Sequence, residues 1–191
     1  MSKTVITAGI DLGTALTRVV VLAWNKDSSQ PEILSSVSVP TKGMRHGYII
    51  NPIDATASIQ KAVSIAEKES GIKIHKATLS MGGTSLSSET GLGSAIISKP
   101  DGEVTAFDIK TALENAEENI DLKNRRIIYN APIAWKLDGK EVPGKPEGMH
   151  GIKLEVKVMY ITCLTQHFDD LLTVVADAGI EIIDVVPSSI A

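Results

Sequence analysis

The 191-residue sequence predicts an α/β fold with an α+β insertion. Three observations carry that prediction. Apolar residues alternate with a period of two from Thr4 to Pro40, switch to a helical period near Asp54, and return to strand character at Lys76. A differently composed block of strand, helix and strands then fills the middle of the chain. A helix and an apolar strand in the style of the first part close it.

The segments "TVITAGID", "LTRVVVLAW" and "EILSSVSVP" read as three strands. A tight turn at Gly13-Thr14 makes the first two an antiparallel hairpin, and the three together form a meander. The linker "NKDSSQP", Asn25 to Pro31, is rich in turn formers. A helix follows from about Asp54 to Ser70, because Ile59, Ala62, Val63 and Ala66 fall on one face. Asn51-Pro52 starts it and Gly71 supplies its C-cap. "KATLSMGG", Lys76 to Gly83, is the next strand.

The stretch "TSLSSETGLGSAIIS" is rich in Ser, Thr and Gly and alternates only weakly. Thr105 and Asp108 are spaced almost as a capping box, and a helix to about Asn119 carries the stripe Ile109, Ala112, Leu113, Ala116 and Ile120. "RRIIYNAPIAWKL" reads as a strand broken or bulged at Pro132. Asp138 to Gly151 has the composition of a loop or hinge, with no core signal. Strict alternation at Ile152, Leu154, Val156 and Val158 marks a strand. Thr165 is expected to cap a helix running to about Ala178, with Phe168, Leu171, Leu172 and Val175 facing inward and Gly179 ending it. "IEIIDVV" is an apolar strand, and "PSSIA" resembles the opening of a further helix. That ending predicts a piece of a longer chain.

Composition narrows the function classes. With 43% hydrophobic and 22% charged residues and a formal charge of −4, the sequence has the balance of a soluble globular protein. No Lys/Arg stripe points to nucleic acid. The single cysteine, Cys163, sits in "VMYITCL" and reads as a small buried hydrophobe in a reducing cytoplasm. The N-terminus lacks the apolar h-region of a secretion signal, and no run reaches the ~20 apolar residues needed to cross a bilayer. His46, His75, His150 and His167 are scattered and have no ligand-spaced partners, so they read as ordinary surface or core histidines. Glu114, Glu117, Glu118 and Asp121, followed by Arg125-Arg126, form a solvated helix side or a partner contact.

The segment "GIDLGTALTRVVVL", Gly9 to Leu22, admits two readings. It can be a plain hairpin with a surface Asp and Arg. It can also be a phosphate loop, in which N–H groups of the Gly13-Thr14 turn meet phosphate oxygens, as does the Thr14 hydroxyl. Asp11 would then hold a hydrated Mg²⁺ and Arg18 would bind the β-phosphate. The Walker pattern is absent.

"GIDLGTALTRVVV" resembles the first phosphate loop of the actin-like ATPase superfamily. The segment from "VSVPTKGMRHGYIINP" through "LSMGGTSLSSETGLGSAI" and the return segment "VMYITCLTQHFDDLLTVVADAGIEIIDVVPSSIA" are similar to the bacterial cell-division family FtsA. The resemblance implies an actin-like, ribonuclease H-like subdomain at 1–83 and 165–191, interrupted by an inserted SHS2-type module at 84–164. It implies ATP and Mg²⁺ as ligands, with Asp11, Gly13, Thr14 and Arg18 on the phosphates and Asp11 on the metal through water. Arg18 stands where relatives often carry Lys, a point charge in place of a planar fork. No catalytic residue is assigned, and the full-length protein is expected to be at most a weak ATPase. Its implied partners are further copies through the inserted module, FtsZ and later division proteins. Its implied place is the cytoplasmic face of the membrane at the division site, reached through a segment outside this sequence. The second phosphate loop and the adenine-binding segment also lie outside it, so this chain alone is expected to bind ATP weakly or not at all. The alternative is a PilM-like module of type IV pilus assembly that docks a membrane partner's cytoplasmic tail.

Overall fold

The computed structural model describes residues 4–25, 28 and 30–190. Expectations that fall on Met1–Lys3, on Lys26, Asp27 and Ser29 of the linker, and on Ala191 lie outside the described residues. The chain divides into two compact units, Met1–Leu86 with Leu164–Ala191, and Ser87–Cys163.

In the first unit, β1 (Val5–Leu12), β2 (Leu16–Trp24) and β3 (Glu32–Pro40) form the meander that the alternation predicts. β4 (Met44–Arg45) and β5 (Tyr48–Ile49) make a separate short ribbon. Then come α1 (Pro52–Ser70), β6 (Lys76–Met81), α3 (Thr165–Asp177) and β11 (Glu181–Pro187). The five-stranded sheet has the order β11-β6-β1-β2-β3. β1 is antiparallel to β2, and β6 is parallel to both β1 and β11. One face carries the core. Ala8, Ile10 and Leu12 alternate with Val19 and Val21, Val37 and Val39, and Leu79 and Met81, and all are buried. α1 covers this face over β2 and β3 through Ala55, Ile59, Ala62, Val63 and Ala66, and α3 packs beside it.

The caps of α1 are local chemistry. The Asn51 side chain accepts the Asp54 N–H, Pro52 opens the first turn, and Gly71 closes the helix at φ +70°. The tail differs from expectation in two ways. Thr165 lies within the first turn of α3, and the N-cap is Leu164, which has no capping side chain. The buried face of α3 is His167, Leu171, Val174 and Val175, while Phe168 and Leu172 are half-buried. Beyond β11, residues 188–190 form a turn closed by the Ile190 N–H on the Pro187 carbonyl.

The second unit is a four-stranded sheet, β7-β10-β8-β9, in which β10 is Lys153–Leu164, with α2 (Ala106–Glu118) packed on β7. Its core joins Ile109, Ala112 and Ala116 of α2 to Trp135, Leu154, Val156, Val158 and Tyr160. Three sequence readings are refined here. The Ser/Thr/Gly-rich stretch is a full strand, β7 (Ser87–Ile96), whose Gly91 and Gly93 face the α2 backbone. β8 (Arg125–Leu137) runs unbroken through Pro132. β9 covers the outer edge of β8 only at Trp135–Leu137, so Pro132 lies where a missing donor is tolerated. The segment read as a hinge carries β9 (Lys140–Val142), turned back by Asp138-Gly139 at φ +50° and +77°. An Asp-Gly pair between alternating residues is a hairpin signal that the sequence held. The Asp138 carboxylate accepts the Ile152 and Lys153 N–H groups, and these bonds hold its pKa below the ordinary value.

Candidate phosphate-binding site

Asp11 is the penultimate residue of β1, and register places Arg18 of β2 directly opposite it. Both point to the sheet face opposite the helices, because their neighbours Ile10, Leu12, Val19 and Thr17 are the buried set. Arg18 Nη1 donates to Asp11 Oδ2 at 2.9 Å. The pair is partly open to solvent, and such ion pairs contribute only about 0–1 kcal/mol. A phosphate can therefore draw the guanidinium away at little cost, leaving the carboxylate to a hydrated cation.

The turn between the strands refines the expected donor set. The Gly13 N–H is already bonded to the Leu16 carbonyl at 3.1 Å. A Cβ on Gly13 would stand 3.0 Å from that same oxygen, so glycine permits the tight approach. The N–H groups of Thr14 and Ala15 make no hydrogen bond among the described residues, and they are the donors a phosphate could meet. Thr14 Oγ1 accepts the Gly47 N–H at 2.8 Å and keeps its own proton to donate. Thr41 N–H holds the Ala15 carbonyl at 3.0 Å.

The residues Gly43 to Gly47 thus buttress the loop, a role the sequence reading did not assign. Gly43 and Gly47 have φ of +78° and +85°. A Cβ on Gly47 would come within 2.8 Å of the Gly83 Cα, so two backbones are in contact there. His167 is likewise, on sequence alone, one ordinary histidine among four. It continues the i, i+4, i+7, i+8 face of α3 with Leu171, Val174 and Val175, and that periodicity was available in the sequence.

Beside Asp11 and Arg18 the uncovered sheet face forms a groove of about 330 Å³, with Gly9, Ser36, Ser38, Thr78 and Ser80 in its walls. Among the described residues no cluster of three or more His, Cys, Asp or Glu could hold a metal by itself. One carboxylate beside phosphate donors fits Mg²⁺, which keeps several waters and takes its remaining oxygens from the phosphates. The donor set therefore fits one side of a Mg-phosphate group. No described helix is long and apolar enough to cross a membrane.

The family model described as the SHS2 domain inserted in FtsA matches residues 83–162. The cell division protein FtsA of Pseudomonas aeruginosa is 28% identical over 96% of this chain and 43% of its own length. FtsA of Bacillus subtilis is 28% identical over 97% of the chain and 42% of its length. FtsA of Borreliella burgdorferi is 30% identical over the whole chain and 46% of its length. The chain thus spans less than half the length of these relatives. A solved structure of the PilM-PilN type IV pilus biogenesis complex matches 96% of the chain and 47% of its own with a TM-score of 0.62. At 13% identity this likeness is one of fold alone. Matched by that family model at residues 83–162, this chain is similar from end to end to the cell-division protein FtsA and consistent with an N-terminal portion of it.

Proposed function

We propose that this chain is the part of an FtsA-like cell-division scaffold that carries the first phosphate loop and the inserted module. In the full-length protein, Asp11 holds a water-bound Mg²⁺, and Arg18, the Thr14 hydroxyl and the Thr14 and Ala15 N–H groups bind ATP phosphates. Gly13 lets the turn close beneath them. The first unit is the incomplete actin-like subdomain and the second is the SHS2-type module. The observation that carries this reading is the cross-strand Asp11–Arg18 pair beside a turn with uncommitted donors, in a chain similar throughout to FtsA. ATP binding then supports polymerisation and the linkage of FtsZ to the membrane, with hydrolysis slow or incidental. The protein works at the cytoplasmic face of the membrane, held there through a segment outside this sequence.

Isothermal titration of the full-length protein with Mg-ATP tests the site. Asp11→Ala and Arg18→Ala should each weaken binding by about tenfold or more, the scale of a lost charge-assisted contact. Unchanged affinity in both variants would remove the site. The 191-residue chain alone should bind far more weakly than the full-length protein.

The second unit is proposed to make the polymer contact, with the α2 acidic face setting register. Glu117 and Glu118 are exposed, so Glu117→Lys with Glu118→Lys should disturb self-association without unfolding the chain. Unaltered sedimentation of the double variant would leave that face merely solvated. The PilM-like fold match favours a second reading, a module that docks the cytoplasmic tail of a membrane partner. Full-length protein that ignores Mg-ATP but binds such a tail would support it.

A further inference from the structure

His167 is 2% exposed, and its Nδ1 is hydrogen-bonded to the hydroxyl of Ser85, itself 3% exposed. The imidazole lies against Tyr48, with ring centroids 4.9 Å apart and planes at 40°. Its Cε1 stands 3.6 Å from where a Cβ on Gly83 would be, which is the glycine whose backbone touches Gly47. Thr84 Oγ1 reaches the His46 carbonyl at 3.4 Å. Nε2 is buried and completes no hydrogen bond.

These contacts bring three distant pieces of sequence to one point. Ser85 lies just before the chain leaves the first unit at Leu86, and His167 lies just after it returns at Leu164. Gly47, which they close upon, belongs to the turn that grips Thr14, and Tyr48 follows it at the start of β5. All of these contacts lie within the first unit.

We infer that Ser85 and His167 form a clasp that holds the Gly43–Gly47 turn, and through it the Thr14 loop, in register with the two segments that lead into and out of the inserted module. The clasp couples the candidate phosphate loop to the root of that module. It rests on the nucleotide-site reading for its purpose, but its mechanics do not depend on a ligand.

The clasp works with neutral imidazole. Burial pulls the His167 pKa below its ordinary 6.5, against the Gly47 backbone and Asp170, which favour the proton. The titratable groups facing the ring are Asp170 on α3 and the Tyr48 phenol on β5. The segment before Leu86 presents the Ser85 hydroxyl. A depressed value in the folded state means that the clasp is intact above 6.5 and is lost as pH falls through the folded value.

Hydrogen–deuterium exchange of the full-length protein tests this, read over 12–17, 43–50 and α1 for wild type, Ser85→Ala and His167→Phe. Ser85→Ala should speed exchange over 43–50 and 12–17 by about tenfold, the effect of one lost buried hydrogen bond, and leave α1 unchanged. After correction for intrinsic rates, wild type should show a further step over 43–50 as pH falls from about 8 to 5, and His167→Phe should lack it. Flat exchange over 43–50 in Ser85→Ala, an equal rise in α1, or a pH step that survives in His167→Phe would each overturn the clasp. If His167→Phe does not fold, the Ser85→Ala profile decides alone. Wild-type protein that fails to bind Mg-ATP refutes the nucleotide site while leaving this exchange pattern in place.

Discussion

Gly93→Ala is expected to cost the second unit on the order of 3 kcal/mol, the upper range for an overpacked core position. A Cβ at Gly93 would stand 2.0 Å from the Ala112 carbonyl oxygen, 2.5 Å from the Ala116 nitrogen and 2.8 Å from the Ala116 Cβ. The first two are helix backbone and cannot rotate aside. To restore contact distance α2 must lift from β7, and Ile109, Ala112 and Ala116 lose packing against β10 and β8. Small domains shift by roughly 4–8 °C per kcal/mol, so thermal unfolding should fall by more than 10 °C. Leu92→Ala is the control, on the same strand but facing solvent at 64% exposure, and it should stay within about 0.5 kcal/mol. If calorimetry finds the two variants alike, the close seating of α2 on β7 is wrong.

The second large effect centres on Asp108, which is 1% exposed at the N-terminus of α2. Its Oδ2 accepts the Thr105 N–H at 2.8 Å and the Thr105 hydroxyl at 2.6 Å, and Oδ1 accepts the Ser98 N–H at 2.9 Å. In return Thr105 Oγ1 takes the Asp108 N–H, which completes a capping box with Asp in place of Glu or Gln. Burial pushes the carboxyl pKa up, but the bonds from Thr105 and Ser98 outweigh it and hold the value at about 2. Asp108→Ala removes the acceptor for two backbone donors and should cost about 2–3 kcal/mol. The folded value is depressed, so this stability is fully present above the ordinary 3.8 and vanishes as pH falls toward about 2. Denaturant titrations of wild type and Asp108→Ala should therefore converge in acid. A gap that stays constant down to that pH would mean that the carboxylate charge contributes nothing.

Both residues show where the sequence is legible. The Thr105 and Asp108 spacing announces the cap, because a capping box spans one helical turn and all its partners are neighbours in sequence. Asn51-Pro52 and Gly71 bound α1 for the same reason. Gly91 and Gly93 instead weaken the strand signal of β7, since a residue without a side chain contributes nothing to alternation. Their value lies in a helix more than ten residues away, and only packing reveals it.

The candidate site divides in the same way. Asp11 and Arg18 are legible as residues on the two strands of one hairpin, because a short turn joins alternating strands, but their pairing with each other comes only from the structure. The Gly13-Thr14 turn is equally local. That Gly13 commits its own N–H to Leu16, and that Thr14 is gripped by Gly47, depends on where the chain returns.

The sequence alone determined the opening meander, the apolar faces of α1 and α2, the N-caps that start them, and the placement of Asp11 and Arg18 on the two strands of the first hairpin. Each of these depends on periodicity, propensity or spacing within a few residues. Only the tertiary structure decided the strand order β11-β6-β1-β2-β3, the unbroken course of β8, the burial of His167 against Ser85, and the buttress beneath Thr14. These contacts join residues tens of positions apart, and no local preference encodes them. They arise because buried backbone and side-chain polar groups must find partners once the two cores have closed.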